Sequence, residues 1–294
     1  MWEYSEASRL ITVDAVFSDK CIYCKTTLTK LPSVSFEKDQ KRLLVQLAIC
    51  KVCGWWTVYR VHQNEYPRTA GIVEGYSGTI GCLKQLDLKD ISIPIDEARQ
   101  YLCAKGDSIF YVHPRVLENI VCSIFKDLGW QARTTAYSAD GGIDVILDGA
   151  EGTIGVQVKR YKKERRIEAE QIRSLAGALV ESGLTKGIFV TTSTYRRGAK
   201  RTAKKLTSIG LPIELIDAKR FLDMLGIAQQ SAFDLSQEKT ITYLLSRGAH
   251  IGSGVHRDFV ANEDLRERQI IAQISTSSEL IDLDNDTTTP FVPS

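Results

Sequence analysis

The feature that most constrains the fold of this chain is the stretch of residues 141–161, GGIDVILDGAEGTIGVQVKRY, in which two apolar runs flank a short polar break. Side chains of a β-strand point alternately to its two faces, and both runs are apolar at every second position. The stretch therefore predicts an antiparallel hairpin. The register that this alternation favours places Asp144 opposite Gln157, with Lys159 two residues further along the same face. An acid, an amide and an amine are then expected to converge at one end of the hairpin.

The sequence around the hairpin predicts further elements in a regular order. A helix begins at Pro114 and carries apolar residues at helical spacing as far as Leu128, and Gly129 suits its end. The remaining elements are strands at 131–137, 142–148, 152–161, 186–192 and 212–217, with helices at 167–182, 196–209 and around 221–225. This order predicts an α/β fold with an αβββαβ core, in which helices flank a mixed sheet.

The polar residues of the hairpin suit a site for a hard metal ion. Mg²⁺ prefers oxygen ligands, here the Asp144 carboxylate and the Gln157 amide oxygen, and beside a phosphodiester it makes bound water more acidic. Lys159 is placed to orient or deprotonate such a water, or to stabilise the charge on the phosphorus. Glu118, at the flank of the first helix's apolar stripe, is the candidate for a further acid. The alternative is an exposed strand face with no catalytic role.

Basic charge is concentrated directly after the hairpin. The block from Lys159 to Lys205 contains fourteen Lys and Arg against four Glu, which gives it a charge of +10, although the whole chain carries only +2. Such asymmetry favours a polyanionic partner, and solvated helix faces are the alternative explanation. The residues expected to contact DNA are Arg160, Lys162, Lys163, Arg165, Arg166, Arg196, Arg197, Lys200 and Arg201.

Five motifs follow one another along the chain: HPRVLENIVCSIFKDLGW, SADGGIDVILDG, GVQVKRY, QIRSLAGAL and KGIFVTTS. In this order they resemble the catalytic domain of Mrr-type restriction endonucleases, a family of the PD-(D/E)xK nuclease superfamily. The resemblance covers about residues 112–225. It implies a restriction-endonuclease-like fold and a Mg²⁺-dependent endodeoxyribonuclease with Asp144, Gln157 and Lys159 as its catalytic core and Glu118 as the helical acid. Gln157 departs from the usual Asp or Glu of the superfamily and is similar to the Mrr-type variant.

The family resemblance also implies a biological role and leaves rivals open. Proteins of this family cut foreign or modified DNA, so a defence function is expected. A nuclease that acts on RNA or branched DNA is one rival, and a DNA-binding protein without turnover is another. The presence of all three hairpin residues argues against the second rival. Because double-strand cutting needs two active sites or two binding events, the chemistry suggests a homodimer.

Four of the seven cysteines form two CxxC pairs, Cys21 with Cys24 and Cys50 with Cys53, separated by 25 residues. Two such turns can present four thiolates tetrahedrally to Zn²⁺, which predicts a small zinc ribbon within residues 1–60. Redox-active or unbound thiols are the alternatives. The odd number of cysteines and their pairing argue against a disulfide framework and favour a reducing compartment.

The rest of the chain gives weaker signals. Residues 61–111 are expected to be a linker with short strands and a helix, 112–228 the nuclease domain, and 229–294 a C-terminal extension with a disordered acidic end. With 43% hydrophobic and 25% charged residues, the composition is that of a globular protein. Neither a secretory signal nor an apolar run of membrane-spanning length is present, so a cytoplasmic location without membrane contact is expected.

Overall fold

The computed structural model describes residues 2–6, 18–31, 33–38, 41–66, 71–135, 141–150 and 152–232. These residues fall into two compact units, one reaching up to Gln85 and the other spanning Leu86–Ala232. None of the helices in these ranges combines the length and the apolar character that crossing a membrane requires. Residues 233–294, which make up most of the expected C-terminal extension 229–294, lie outside the described residues.

The N-terminal unit is built on six antiparallel strands: β1 (Trp2–Glu6), β2 (Thr29–Lys30), β3 (Val34–Lys38), β4 (Lys41–Ile49), β5 (Trp56–Tyr66) and β6 (Gly71–Leu83). The order in the sheet is β1-β6-β5-β4-β2, and β3 also pairs with β4. Trp55 and Trp56 are fully buried, and Trp55 Nε1 donates a hydrogen bond of 2.8 Å to Gly81 O. The two tryptophans therefore serve the packing of this unit.

The structure differs from the expectation of a linker over residues 61–111. Strands β5 and β6 run through this range as full members of the sheet, and the residues from Leu86 onward belong to the second unit. β6 contains four glycines, which weaken a strand by themselves. It is held because it pairs with β1 on one side and with β5 on the other. The boundary between the units accordingly lies near residue 85.

The second unit contains the predicted core. Its helices are α1 (Ile95–Ala104), α2 (Pro114–Asp127), α3 (Ala169–Glu181), α4 (Arg197–Ser208) and α5 (Ala218–Ala232). Its strands are β7 (Gln131–Thr134), β8 (Val145–Gly149), β9 (Gly152–Lys159), β10 (Lys186–Thr191) and β11 (Ile213–Ile216). From α2 onward the elements follow one another in the predicted order, so the αβββαβ core is confirmed.

The five strands of the second unit form one mixed sheet in the order β11-β10-β9-β8-β7. Strand β8 pairs antiparallel with both β7 and β9, whereas β9, β10 and β11 run parallel to one another. The β8–β9 hairpin has the predicted register, with Val145 opposite Val156. Pairing continues to Gly149 and Gly152.

Helix α3 packs on the sheet above two glycines that are neighbours in the register, Gly155 of β9 and Gly187 of β10. A Cβ added to Gly187 would lie 2.5 Å from one methyl of Leu179, and a Cβ added to Gly155 would lie 2.7 Å from the other. Leu179 itself is fully buried. The absence of side chains at the two glycines thus lets α3 lie close to β9, the strand that carries the predicted amide and lysine.

Candidate active site

Three segments that carry predicted site residues meet at one edge of the five-stranded sheet. Strand β8 runs antiparallel to β9, so the residues before β8 lie beside the end of β9. Strand β10 runs parallel to β9, so the segments that follow β9 and β10 leave the sheet at this same edge. The carboxyl ends of parallel strands are where open α/β sheets place their ligand sites.

Asp144 is the residue before β8 and is 5% exposed. Its N–H donates to Val156 O (2.8 Å), and the register of the hairpin, continued by one residue, places it opposite Gln157. Asp144 Oδ2 accepts a hydrogen bond of 2.6 Å from the Val158 N–H. A main-chain donor of β9 is thus satisfied by this carboxylate, where a strand carbonyl would ordinarily serve.

Gln157 and Lys159 lie near the end of β9 and differ in exposure. Gln157 is 4% exposed, whereas Lys159 is half-buried. Gly142 lies close to the Gln157 amide, since a Cβ at position 142 would come within 3.2 Å of Gln157 Nε2. The φ angle of Gly142 is +91°, a conformation that favours glycine. Both its backbone and its lack of a side chain therefore help to accommodate the amide.

Glu118 lies in the first half of α2 and is buried. Hydrogen bonds from Arg115 connect it to the same edge of the sheet. Arg115 Nη1 donates to Glu118 Oε2 (2.9 Å) and to Thr135 O (3.1 Å), and Arg115 Nη2 donates to Thr134 Oγ1 (3.3 Å). The Thr135 N–H in turn donates to Asp144 O (3.0 Å). A chain of hydrogen bonds thus connects Glu118 with the backbone of Asp144, and Arg115 balances the charge of Glu118.

The predicted DNA-contacting residues lie in two segments at this edge, the loop after β9 and the start of α4. Main-chain hydrogen bonds hold the two segments together: the Ile167 N–H donates to Thr194 O and the Arg196 N–H donates to Ile167 O, both at 2.9 Å. All but one of the nine predicted residues are exposed: Lys162, Lys163, Arg165, Arg166, Arg196, Arg197, Lys200 and Arg201. The structure therefore places eight basic side chains at the solvent surface of these two segments.

Arg160 differs from the other predicted DNA-contacting residues. Its Nη1 donates to Phe110 O in the 3₁₀ helix Gly106–Tyr111 at 2.9 Å, and its Nε is buried without a hydrogen-bond partner in the described part of the chain. The guanidinium is thus engaged with the protein itself. Arg160 connects the end of β9 to the segment before α2.

Sequence reasoning missed three polar residues at the end of β10, Thr191, Thr192 and Ser193, each at most 2% exposed. Thr191 Oγ1 donates to Lys159 O (2.9 Å), and Thr192 Oγ1 accepts from the N–H of Tyr161 (2.8 Å). The available signal was the composition of the strand, because KGIFVTTS ends a buried apolar run with three consecutive hydroxyl residues. Buried hydroxyls need hydrogen-bond partners, and these partners lie beside Lys159.

The four cysteines of the CxxC pairs converge in the N-terminal unit. All four Sγ atoms lie within 4.8 Å of one another, with 3.5 Å between Cys21 and Cys53 and 3.3 Å between Cys24 and Cys50. With zinc–sulfur bonds of about 2.3 Å, the sulfurs of a tetrahedral site lie about 3.8 Å apart. Interaction with Cys21 and with the other two thiols lowers the pKa of the Cys24 thiol. The cluster fits a zinc ion.

The two CxxC turns share one backbone design. The Lys25 N–H donates to Cys21 O (3.0 Å), and the Gly54 N–H donates to Cys50 O (2.9 Å). The residue after each pair adopts a positive φ, +63° at Lys25 and +74° at Gly54. Lys25 is the only residue other than glycine with a positive φ in the described chain. Its Nζ donates to Ile22 O, which ties the side chain back onto the turn.

Comparison with known proteins identifies the domain that contains the sheet edge. Residues 111–225 match the Mrr_cat family model, whose description is restriction endonuclease. The uncharacterized protein y4cE of Sinorhizobium fredii (strain NBRC 101917 / NGR234) is 28% identical over 103 residues, which are 33% of this chain and 26% of that protein. The chain thus spans about a quarter of the curated relative that it matches. Residues 111–225 are therefore similar to the restriction endonuclease domain that this family model describes.

Two solved structures are similar to the chain at low identity. The protein of unknown function AF1548 is 16% identical with a TM-score of 0.33, over 55% of this chain and 96% of that protein. The restriction endonuclease FokI, solved bound to DNA, is 15% identical with a TM-score of 0.36, over 50% of this chain and 32% of FokI. The chain therefore spans about a third of the length of FokI.

Proposed function

We propose that this chain is a Mg²⁺-dependent nuclease that hydrolyses phosphodiester bonds of DNA, with Asp144, Gln157, Lys159 and Glu118 as its site residues. One observation carries the proposal: the hairpin register brings the acid, the amide and the lysine to the sheet edge from which two basic segments leave. The match of the domain to restriction endonucleases gives the reaction class. In this role the protein would cut foreign or modified DNA as a defence.

The oxygen atoms at this edge suit Mg²⁺. The Asp144 carboxylate has oxygen atoms of the hard type that Mg²⁺ prefers, and its Oδ2 also accepts the hydrogen bond from Val158. The amide oxygen of Gln157 and the carboxylate of Glu118 are further hard ligands of the kind that Mg²⁺ takes. When bound, the ion supplies polarisation of the phosphoryl oxygen and a more acidic water. Asp144 and Gln157 are the residues that would hold it.

Lys159 contributes positive charge at the reacting phosphate. The residue is half-buried at the end of β9, so its side chain is only partly exposed to solvent. A fixed ammonium group stabilises the negative charge that builds up on the phosphoryl oxygens in the transition state. The exposed basic side chains after β9 and at the start of α4 hold the neighbouring phosphates. Such contacts give affinity and position, and they read no base sequence.

The N-terminal unit is proposed to be a zinc-bearing module that precedes the nuclease domain. Four thiolates within 4.8 Å of one another would hold one Zn²⁺, which would cross-link residues 21–24 with residues 50–53. The ion stabilises a small unit in this way and takes no part in the hydrolysis. A homodimer would provide the two sites that cutting both strands of a duplex requires.

The proposal is tested with Lys159→Ala and Asp144→Asn on a plasmid substrate with Mg²⁺, in modified and unmodified form. Removing one fixed donor that stabilises transition-state charge costs about 100- to 1,000-fold in rate, and DNA affinity is expected to stay near that of the wild type. Lys89→Ala, an exposed lysine in a surface turn of the same unit, is the matched control and is expected to cut normally. Cleavage by Lys159→Ala at the wild-type rate would show that the site is wrong. A preference for RNA or branched DNA in parallel reactions would change the substrate class.

A further inference from the structure

The main-chain ladder between β9 and β10 ends at the proposed catalytic lysine. The last pair in the parallel register is Lys159 with Thr191. At this point the two strands are also joined by hydrogen bonds from threonines: Thr191 Oγ1 donates to Lys159 O (2.9 Å), and the Thr192 N–H donates to the same carbonyl (3.3 Å). The carbonyl of Lys159 therefore has two donors, and both come from the end of β10.

The hydroxyl group of Thr192 holds the backbone of Tyr161, which lies two residues after Lys159. Thr192 Oγ1 accepts from the Tyr161 N–H (2.8 Å) and donates to Tyr161 O (2.7 Å), so it satisfies both main-chain groups of that residue. Thr192 is 1% exposed, as is Thr191, so water has little access to replace these bonds. The backbone is held on Lys159 itself and again two residues later.

Tyr161 also leads into the basic loop. Its hydroxyl accepts from Gln171 Nε2 (2.9 Å), which anchors the ring to α3, and the guanidinium of Arg165 lies 4.2 Å from the ring centroid. Thr192 therefore holds the backbone of the segment that connects Lys159 to the basic side chains of the loop after β9. A displacement of this segment would move the lysine relative to the phosphate.

We propose that Thr191 and Thr192 are positioning residues, whose hydroxyl groups hold Lys159 at the geometry that hydrolysis needs. The inference rests on the function proposed above, in which Lys159 acts on the phosphate. Catalysis depends on sub-ångström placement, and a misplacement of 1 Å by a residue outside the chemistry costs up to about 100-fold in rate. The threonines themselves touch no substrate in this role.

The experiment compares Thr192→Val with Thr192→Ser. Valine keeps the shape of threonine and removes the hydroxyl group, whereas serine keeps the hydroxyl group and removes the methyl group. Thr192→Val is expected to lower kcat by about 10- to 100-fold, with a smaller change in KM, and Thr192→Ser is expected to restore most of the rate. Thr153→Val is the matched control. Thr153 lies on β9 at the end of the hairpin opposite to Lys159, and its hydroxyl group donates to Asp148 Oδ1.

All variants are assayed well below their melting temperatures, with the folded fraction measured by circular dichroism, and Lys159→Ala is included in every series. If Lys159→Ala is inactive while folded Thr192→Val cuts at the wild-type kcat, the inference fails and the proposed function stands. If Thr192→Ser is as slow as Thr192→Val, the hydroxyl group is not the cause and the inference also fails. If Lys159→Ala cuts like the wild type, the proposed function itself is overturned.

Discussion

Replacing Asp144 by alanine is expected to destabilise the protein, although removal of an active-site group often has the opposite effect. The reason is the hydrogen bond of 2.6 Å that the Val158 N–H donates to Asp144 Oδ2. Both residues are buried, so alanine would leave a main-chain donor without a partner and with little access to water. Asparagine retains an acceptor oxygen at this position and is expected to lose less.

The magnitude follows from the type of bond. A buried donor left without its partner costs about 1–3 kcal/mol, and the relief of burying a carboxylate offsets part of this. A net loss of about 1–2 kcal/mol is therefore expected for Asp144→Ala. In a unit the size of Leu86–Ala232, each kcal/mol shifts Tm by about 2–4 °C. The expected decrease in Tm is then about 2–8 °C.

The assay is thermal and urea denaturation of the wild type, Asp144→Ala and Asp144→Asn without added Mg²⁺, because a bound ion would stabilise only the variants that retain its ligands. Asp148→Ala is the matched control on the same hairpin. Its carboxylate is more exposed and bonds the side chains of Thr153 and Arg133 instead of a buried N–H, so a smaller loss is expected. If Asp144→Ala proves as stable as the wild type, the hydrogen bond to Val158 contributes nothing and the reasoning is wrong.

Two further outcomes are expected. The purified protein should contain about one zinc per chain, measured by mass spectrometry. The variant Cys24→Ser should lower both the zinc content and the melting temperature of the N-terminal unit. An equal melting temperature with and without zinc would contradict the metal site. The double variant Lys162→Ala with Arg165→Ala should reduce the slope of log Kd against log salt by about 2, one unit for each phosphate that the variant no longer neutralises. Lys89→Ala should leave that slope unchanged, and an unchanged slope in the double variant would place the DNA elsewhere.

The fold of the second unit could be predicted from sequence because each element carries a local signal. The apolar stripe of α2 has helical spacing, Pro114 begins the helix, and Gly129, two residues after its end, adopts a φ of +92°. The hairpin alternates with a period of two, and a shift of one residue would move its apolar side chains to the wrong face. The pairing of Val145 with Val156 confirms that register. The assignment of Asp144 and Gln157 to a metal site stays a prediction.

The extent of the N-terminal sheet could not be predicted, because its strands depend on their partners. Strand β6, GIVEGYSGTIGCL, is interrupted by four glycines and has no sustained alternation. It forms a strand of 13 residues since β1 and β5 bond it from both sides. The pairing of β6 with β1 joins segments more than 70 residues apart, which leaves no trace in a local pattern. A prediction based on periodicity therefore interprets such a strand as a linker.

The individual roles of the basic and hydroxyl residues also could not be predicted from the sequence. Arg160 belongs to the same basic run as Lys162 and Lys163, yet its guanidinium donates to the carbonyl of Phe110. A charge count treats all members of the run alike, whereas burial separates them. The reverse holds for Thr192, which looks like an ordinary strand residue and is bonded to the segment that follows the lysine. Side-chain bonds to main-chain atoms depend on tertiary packing, which composition does not contain.

The amide at position 157 is consistent with the charge balance that burial imposes on the site. Asp144 and Gln157 lie opposite each other, and each is at most 5% exposed. A carboxylate at position 157 would add a second negative charge beside Asp144, where burial and like-charge repulsion both raise a carboxyl pKa. The amide supplies an oxygen ligand without that charge. In the proposed site the second acid comes instead from Glu118, whose charge Arg115 already balances at 2.9 Å. The two acids of the proposed site thus lie on separate elements, and the amide at position 157 is consistent with the burial of β9.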